Sequence, residues 1–173
     1  MLRDMGLPDV SCTDNRRLEI LATGLPLHGG VPLAVDATMV SALHGDGAPW
    51  PKADTEAGMA IERAHRRKWD TYPEIEAAPE MHLATLACEV GGRWSKECQD
   101  VIEQLARVRA REAPAYLRTA TKLACAARWW AILSCAQQNA LAATLIDDAV
   151  CLLDGWDTPI PDIVDILSEC IRA

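Results

Sequence analysis

Two acids and one lysine stand where charge is hard to keep. Glu19 lies in the run Arg16-Arg17-Leu18-Glu19-Ile20, and Asp36 lies in Val35-Asp36-Ala37-Thr38-Met39-Val40. Both runs alternate apolar with other residues, so each acid falls mid-way along an expected strand. A charge in a half-apolar strand is costly unless it is paired or holds a cation. Adjacent strands lie about 4.8 Å apart. Two carboxylates on one face could therefore share a divalent metal. Lys68, at the end of the next expected helix, could bring an ammonium to the same sheet edge. The bland alternative is a solvated Glu19 against Arg16 or Arg17, an Asp36 paired with a neighbouring base, and a Lys68 that is one surface charge of several. Spacing alone leaves both open.

The elements that would position these residues follow from pattern. A short strand is expected over 17–22, stopping at Thr23-Gly24. Gly29-Gly30 marks a turn over 25–32, and 33–43 reads as a second strand, pairing antiparallel with the first. A Gly- and Pro-rich loop over 44–54 leads to Thr55, the expected N-cap of a helix with Glu56 in its first turn. That helix runs to about Trp69 and is stopped by Pro73. A third strand over 79–90 ends at Gly91-Gly92. Ser95 caps a helix running to about Glu112, and a last long helix covers about 115–146. Strand, helix, strand requires a crossover, so the third strand should run parallel to one strand of the hairpin. The expected fold class is α/β (α+β): a small mixed sheet with a β-hairpin, a crossover helix and a third strand, followed by two C-terminal helices. One domain is expected over 1–146, with its motifs in 16–95 and a helical part in 95–146. An acidic peripheral tail is expected over 147–173.

Charge and cysteine usage narrow the class. The chain has 173 residues and a net charge of −8. Residues 147–173 hold seven acids and one arginine, so the body is close to neutral and the tail makes the protein acidic. An acidic balance argues against a nucleic-acid binder only until this asymmetry is seen. Seven cysteines at wide spacing, with no C-x-x-C, imply free thiols rather than a disulfide framework or a zinc site. No apolar leader opens the chain, so an intracellular protein, nuclear or cytoplasmic and not secreted, is expected. The uncharged stretch 129–146 holds Ser134, Gln137, Gln138 and Asn139 at its centre, and reads as a largely buried core helix, not a membrane span.

Other motifs are weaker. His28, His44, His65 and His82 are scattered; His65, three residues before Lys68, could reach a phosphate, but a lone His on a basic helix face is more often solvated. No nucleophile–base order, G-x-G-x-x-G or phosphate-loop pattern occurs, so no small-molecule cofactor is expected. Basic residues gather in two places: Arg63, Arg66, Arg67 and Lys68, then eight Lys/Arg against four acids between Arg93 and Arg128. Arg63, Arg66, Arg67, Arg93, Arg107 and Arg111 are candidate phosphate contacts, giving weak, electrostatic DNA binding. The alternative is an ordinary solvated helix face with pairs such as Glu103–Arg107. Glu89 is either a third acid near a metal or, as favoured, a structural residue that bonds a backbone amide or Arg93 in the glycine turn.

Four of these segments, in order, resemble the restriction-like endonuclease domain of non-LTR retrotransposon polyproteins, a branch of the PD-(D/E)xK nucleases. That family carries R/K-P-D-hydrophobic on one strand and hydrophobic-D-V-T-V on a second. A helix follows, ending K-x-x-K-Y, and then a strand ending in a glycine turn before a basic residue and Trp. The matching runs here are Arg16–Ile20, Val35–Val40, Lys68-Trp69-Asp70-Thr71-Tyr72 and Glu89-Val90-Gly91-Gly92-Arg93-Trp94-Ser95. The resemblance implies Glu19 and Asp36 as metal-binding acids and Lys68 as the catalytic lysine. It further implies Mg²⁺ (or Mn²⁺) as cofactor, DNA as substrate, and other domains of a retroelement polyprotein as partners. Glu19 replaces the family's Asp, Leu18 its Pro and Thr71 its second Lys.

Two function classes result. One is a metal-dependent DNA endonuclease-like domain, or its degenerate, inactive descendant. The other is a non-enzymatic, helix-rich interaction module.

Overall fold

A computed structural model of the chain describes residues 13–16, 18–145 and 168. The expected acidic tail over 147–173 lies outside the described residues, Ser168 excepted. The chain divides into two compact units, Met1–Val101 and Ile102–Ala173.

The first unit is built on a three-stranded mixed sheet in the order β1-β2-β3. β1 (Ile20–Ala22) pairs antiparallel with β2 (Leu33–Val40), and β2 pairs parallel with β3 (His82–Glu89) along its whole length. The hairpin, the crossover and the parallel third strand stand where the pattern of apolar runs and glycine turns put them. Leu33 to Asp36 and Leu83 to Cys88 are buried on both faces, as expected of strands covered on each side.

Several boundaries differ from the sequence reading. β1 has only three residues, so Glu19 stands in a bend just ahead of the strand, not inside it. The crossover helix α1 (Met59–Thr71) starts after Gly58, whose φ of +90° only glycine adopts readily. Thr55 does not cap it; the Thr55 hydroxyl turns back to the Lys52 carbonyl in a run of tight turns. Pro73 ends α1 but also opens a second short helix, α2 (Pro73–Ala77), which the sequence reading missed. Proline is favoured at the first helical position because its missing N–H is unpaired there anyway. Tyr72 is the joint between the two helices. Its N–H bonds to the carbonyls of Lys68 and Trp69, and its own carbonyl accepts from Ile75 and Glu76.

α1 and α2 cover one face of the sheet. Tyr72, Ile75 and Ala78 pack with Ala34 and Leu83, flanked by Leu18, Trp69 and Met81. Ala34 and Asp36 lie two apart in β2 and therefore share that face. The outer edge of β3 is covered by the chain's own return. Glu89 N–H bonds to the Arg93 carbonyl and Ser95 N–H to the Ala87 carbonyl. Such cover removes an open edge that could pair with another chain. The helix α3 (Lys96–Ala110) follows, with Ser95 Oγ accepting from Cys98 N–H at 3.1 Å, an N-cap as expected.

In the second unit, a 3-10 turn over Ala115–Leu117 precedes the 28-residue α4 (Arg118–Leu145). The expectation of a largely buried helix from Trp129 onward is corrected. Among the described side chains of α4, Trp129, Leu133 and Gln137 are the buried ones, an i, i+4, i+8 stripe, while Trp130 is half-buried. The Ala-rich composition hid this, because alanine reads as apolar whether it faces core or water. Lys122 of α4 and Arg107 of α3 both reach Glu103 at 2.8 Å. Among the described residues, no helix is long and apolar enough to cross a membrane.

Candidate functional site

Asp36 sits in the middle of β2 and is 1% exposed. Lys68, from the last turn of α1, places Nζ 2.7 Å from Asp36 Oδ1 and 2.9 Å from Oδ2. The contact to Oδ2 is a hydrogen bond; that to Oδ1 is out of line. Oδ1 is thus buried with no hydrogen-bond partner among the described residues. Tyr72, the C-cap of α1, follows Lys68 by four residues, and its N–H bonds back to the Lys68 carbonyl, which keeps the two close together. The Tyr72 hydroxyl also bonds to Asp36. Burial, followed by the charge of Asp36 and more weakly that of Glu19, pushes the Tyr72 hydroxyl up to about 12.

Glu19 approaches from the other side. Continuing the β1/β2 register one residue beyond Ile20↔Val35 sets Glu19 opposite Asp36. Its Oε2 accepts from Ala37 N–H at 2.9 Å, in place of a ladder bond that β1 is too short to make. Glu19 itself is exposed. Arg16 frames the same end of the sheet, bonding to Asp14 and Glu74 at 2.6 Å each and to the Thr71 carbonyl. The Arg16 guanidinium holds the carboxyls of Asp14 and Glu74 below their usual values. It lies 6.0 Å from the Tyr72 ring centroid. Arg16 thereby ties the segment before β1 to the joint between α1 and α2.

On the other flank, the parallel register sets Thr85 beside Asp36. Thr85 N–H donates to Glu97 Oε2 at 2.9 Å, and His65 Nε2 meets the same oxygen at 3.1 Å. Burial pushes the Glu97 carboxyl up, against the opposing pull of Thr85 N–H and His65. His65 is thus paired rather than solvated. Neither Thr85 nor Glu97 was singled out from sequence. Both read locally as ordinary strand and first-turn residues, and only strand register brings them into line with Asp36.

The donor set suits a hard divalent ion. Asp36 Oδ1 is buried and ion-paired to Lys68 Nζ without a hydrogen bond, and Glu19, with Oε2 taken by Ala37 N–H, has a second carboxylate oxygen to offer. Mg²⁺ binds through one or two carboxylates, with water and phosphate oxygens completing its shell. Among the described residues, no group of three or more His, Cys, Asp or Glu side chains could hold a metal ion, so any such shell would be completed by water and substrate.

The arginine candidates fare differently from one another. Arg63, Arg66 and Arg67 line one cleft of about 530 Å³ with Trp50, Lys52, Glu62 and Asp70. The Arg63 guanidinium stacks 3.8 Å from the Trp50 ring centroid, which holds it in place. Trp50 carried no signal in the sequence beyond its Pro-flanked loop. Arg93 is tied to Glu89 at 3.2 Å, the turn pairing favoured for Glu89 from sequence. Arg107 pairs with Glu103 in the second unit, and Arg111 is exposed there.

No family model matches the chain, and no curated protein or solved structure shows significant similarity to it.

Proposed function

We propose that the chain is a restriction-endonuclease-like domain that hydrolyses DNA phosphodiesters at the Asp36–Lys68 centre. The observation that supports this reading is the pairing of a carboxylate buried in the central strand with a helix lysine, next to a second carboxylate that reaches the following residue of that strand through Ala37 N–H. Asp36 and Glu19 would hold Mg²⁺ or Mn²⁺, which supplies an acidified water and neutralises charge at the phosphate. Lys68 Nζ, fixed by Asp36, orients the attacking water and adds positive charge beside the scissile phosphate. Tyr72 keeps Asp36 in place through its hydroxyl. Arg63, Arg66 and Arg67 supply sequence-independent phosphate contacts in the cleft beside Trp50. In this reading the chain works alongside other domains of a retroelement polyprotein.

The test is plasmid nicking by the full chain in Mg²⁺ or Mn²⁺. Wild type nicks supercoiled DNA; Asp36→Asn and Lys68→Met lose at least about a hundredfold in rate, and Glu19→Gln loses a comparable factor. A folded wild type that neither nicks nor retards DNA overturns the proposal. The competing reading, a non-enzymatic interaction module, is favoured by one feature: Tyr116 (84% exposed) and Leu123 (63%) stand out from the second unit as bare apolar groups.

A further inference from the structure

Asp36 of β2 and Thr85 of β3 stand level, and Glu19, in the bend before β1, reaches the next residue of β2 through Ala37 N–H. Side-by-side residues of a parallel pair project to the same face, so the Thr85 side chain shares a face with Asp36. Thr85 and Asp36 are 0% and 1% exposed. Each carries an oxygen that has no hydrogen-bond partner among the described residues, Thr85 Oγ1 and Asp36 Oδ1. Buried polar atoms are rarely left unmatched, because dehydration without a partner is costly. The two orphans are complementary: a hydroxyl has a proton to give, and a carboxylate oxygen has lone pairs to receive it.

The Thr85 main chain is held on its outer side as well as by the ladder with β2. Its N–H donates to Glu97 Oε2 at 2.9 Å, and its carbonyl accepts from Ser95 Oγ at 3.4 Å. With the backbone clamped, rotation about χ1 is the freedom left, and a strand side chain has more than one staggered well open to it. Lys68 Nζ reaches Asp36 Oδ1 out of line and leaves that oxygen open to a second donor. α1 reaches this pair twice: Lys68 meets Asp36, and His65 meets Glu97 Oε2, the oxygen that also takes Thr85 N–H.

We propose that Thr85 is a positioning residue for Asp36: its hydroxyl donates to Oδ1, directly or through one buried water, and fixes the carboxylate plane against Lys68. The inference rests on the reading of Asp36 as the metal-holding carboxylate, but the contact itself exists whether or not DNA is cleaved. Thr85 touches no substrate; it acts through Asp36.

The test uses the full chain. In the wild type, NMR should find a slowly exchanging Thr85 hydroxyl proton, with a cross-peak to the Asp36 side chain or to one bound water between them. The Asp36 carboxyl carbon resonance should move in Thr85→Val and return in Thr85→Ser. Mn²⁺ alone, titrated by electron paramagnetic resonance, should bind about tenfold more weakly to Thr85→Val and within about threefold of wild type to Thr85→Ser. A Thr85 hydroxyl that exchanges freely with bulk water overturns the proposal, even if Thr85→Val fails to fold. So does an Asp36 carboxyl resonance that is unchanged in a folded Thr85→Val. If DNA is not nicked while the Thr85–Asp36 contact is present, the nuclease reading fails and the positioning stands.

Discussion

Lys68 Nζ lies within 3 Å of both oxygens of Asp36, yet the two partners are unequally buried: the Asp36 side chain is 2% exposed and that of Lys68 23%. The pair is therefore anchored from the sheet and reached from the solvent side. A cation or phosphate arriving at the sheet edge meets the lysine first. Removing either partner has very different consequences.

Lys68→Met should destabilise the fold by roughly 3 kcal/mol, because it strands a buried carboxylate. Asp36→Asn with Lys68→Met should cost less than the sum of the single changes, because no buried charge is left unpaired. Urea denaturation of the four proteins of this cycle measures the coupling. Additive effects would show that the pair contributes little.

Tyr72 should resist ionisation. Its hydroxyl is pushed up to about 12, first by burial and then by Asp36. Its folded value lies above the unfolded value near 10, so the unfolded chain loses this proton first as pH rises. The associated stability is therefore complete below about pH 10 and is lost between about pH 10 and 12. Tyr72→Phe should abolish that part of the alkaline decline, read as the difference in unfolding free energy between variant and wild type across the window.

Cys88 and Cys98 should be inert in the native protein. Burial pushes their thiols up to about 11 and about 12, so little thiolate forms near neutrality, and both are buried. Cys135 is exposed and Cys125 half-buried. Among the four described cysteines, brief alkylation followed by peptide mapping should label Cys135 first and leave Cys88 and Cys98 unmodified until denaturant is added. Early labelling of Cys98 would contradict the burial of the α3 face that carries it.

Arg66 and Arg67 should contribute to DNA binding without sequence preference. Changing each to Ala should weaken binding uniformly across sequences and lower the salt slope by about 0.9 for each phosphate no longer neutralised. Arg107→Ala should change it less, since Glu103 already neutralises that guanidinium. Binding isotherms from low to moderate salt decide the order. Equal losses at Arg66 and Arg107 would remove the case for the cleft beside Trp50.

The order of apolar runs, the glycine turns and the crossover rule were enough to determine a hairpin, a parallel third strand and a helical C-terminal half. They also determined the Ser95 cap and a structural role for Glu89 in the glycine turn, where it meets Arg93. All of these depend on interactions within a few residues or on a topology that chain chirality restricts to few choices. Tertiary structure decided the rest. α2 was illegible because Pro73 signals the end of one helix as readily as the start of another. The length of β1 was illegible because the Glu19 carboxylate, not backbone, takes the Ala37 N–H. The line from Glu19 through Asp36 and Thr85 to Glu97 and His65 joins residues far apart in the chain. No local pattern encodes it: strand register alone sets which side chains stand level, and register is fixed only when the faces of the sheet are packed.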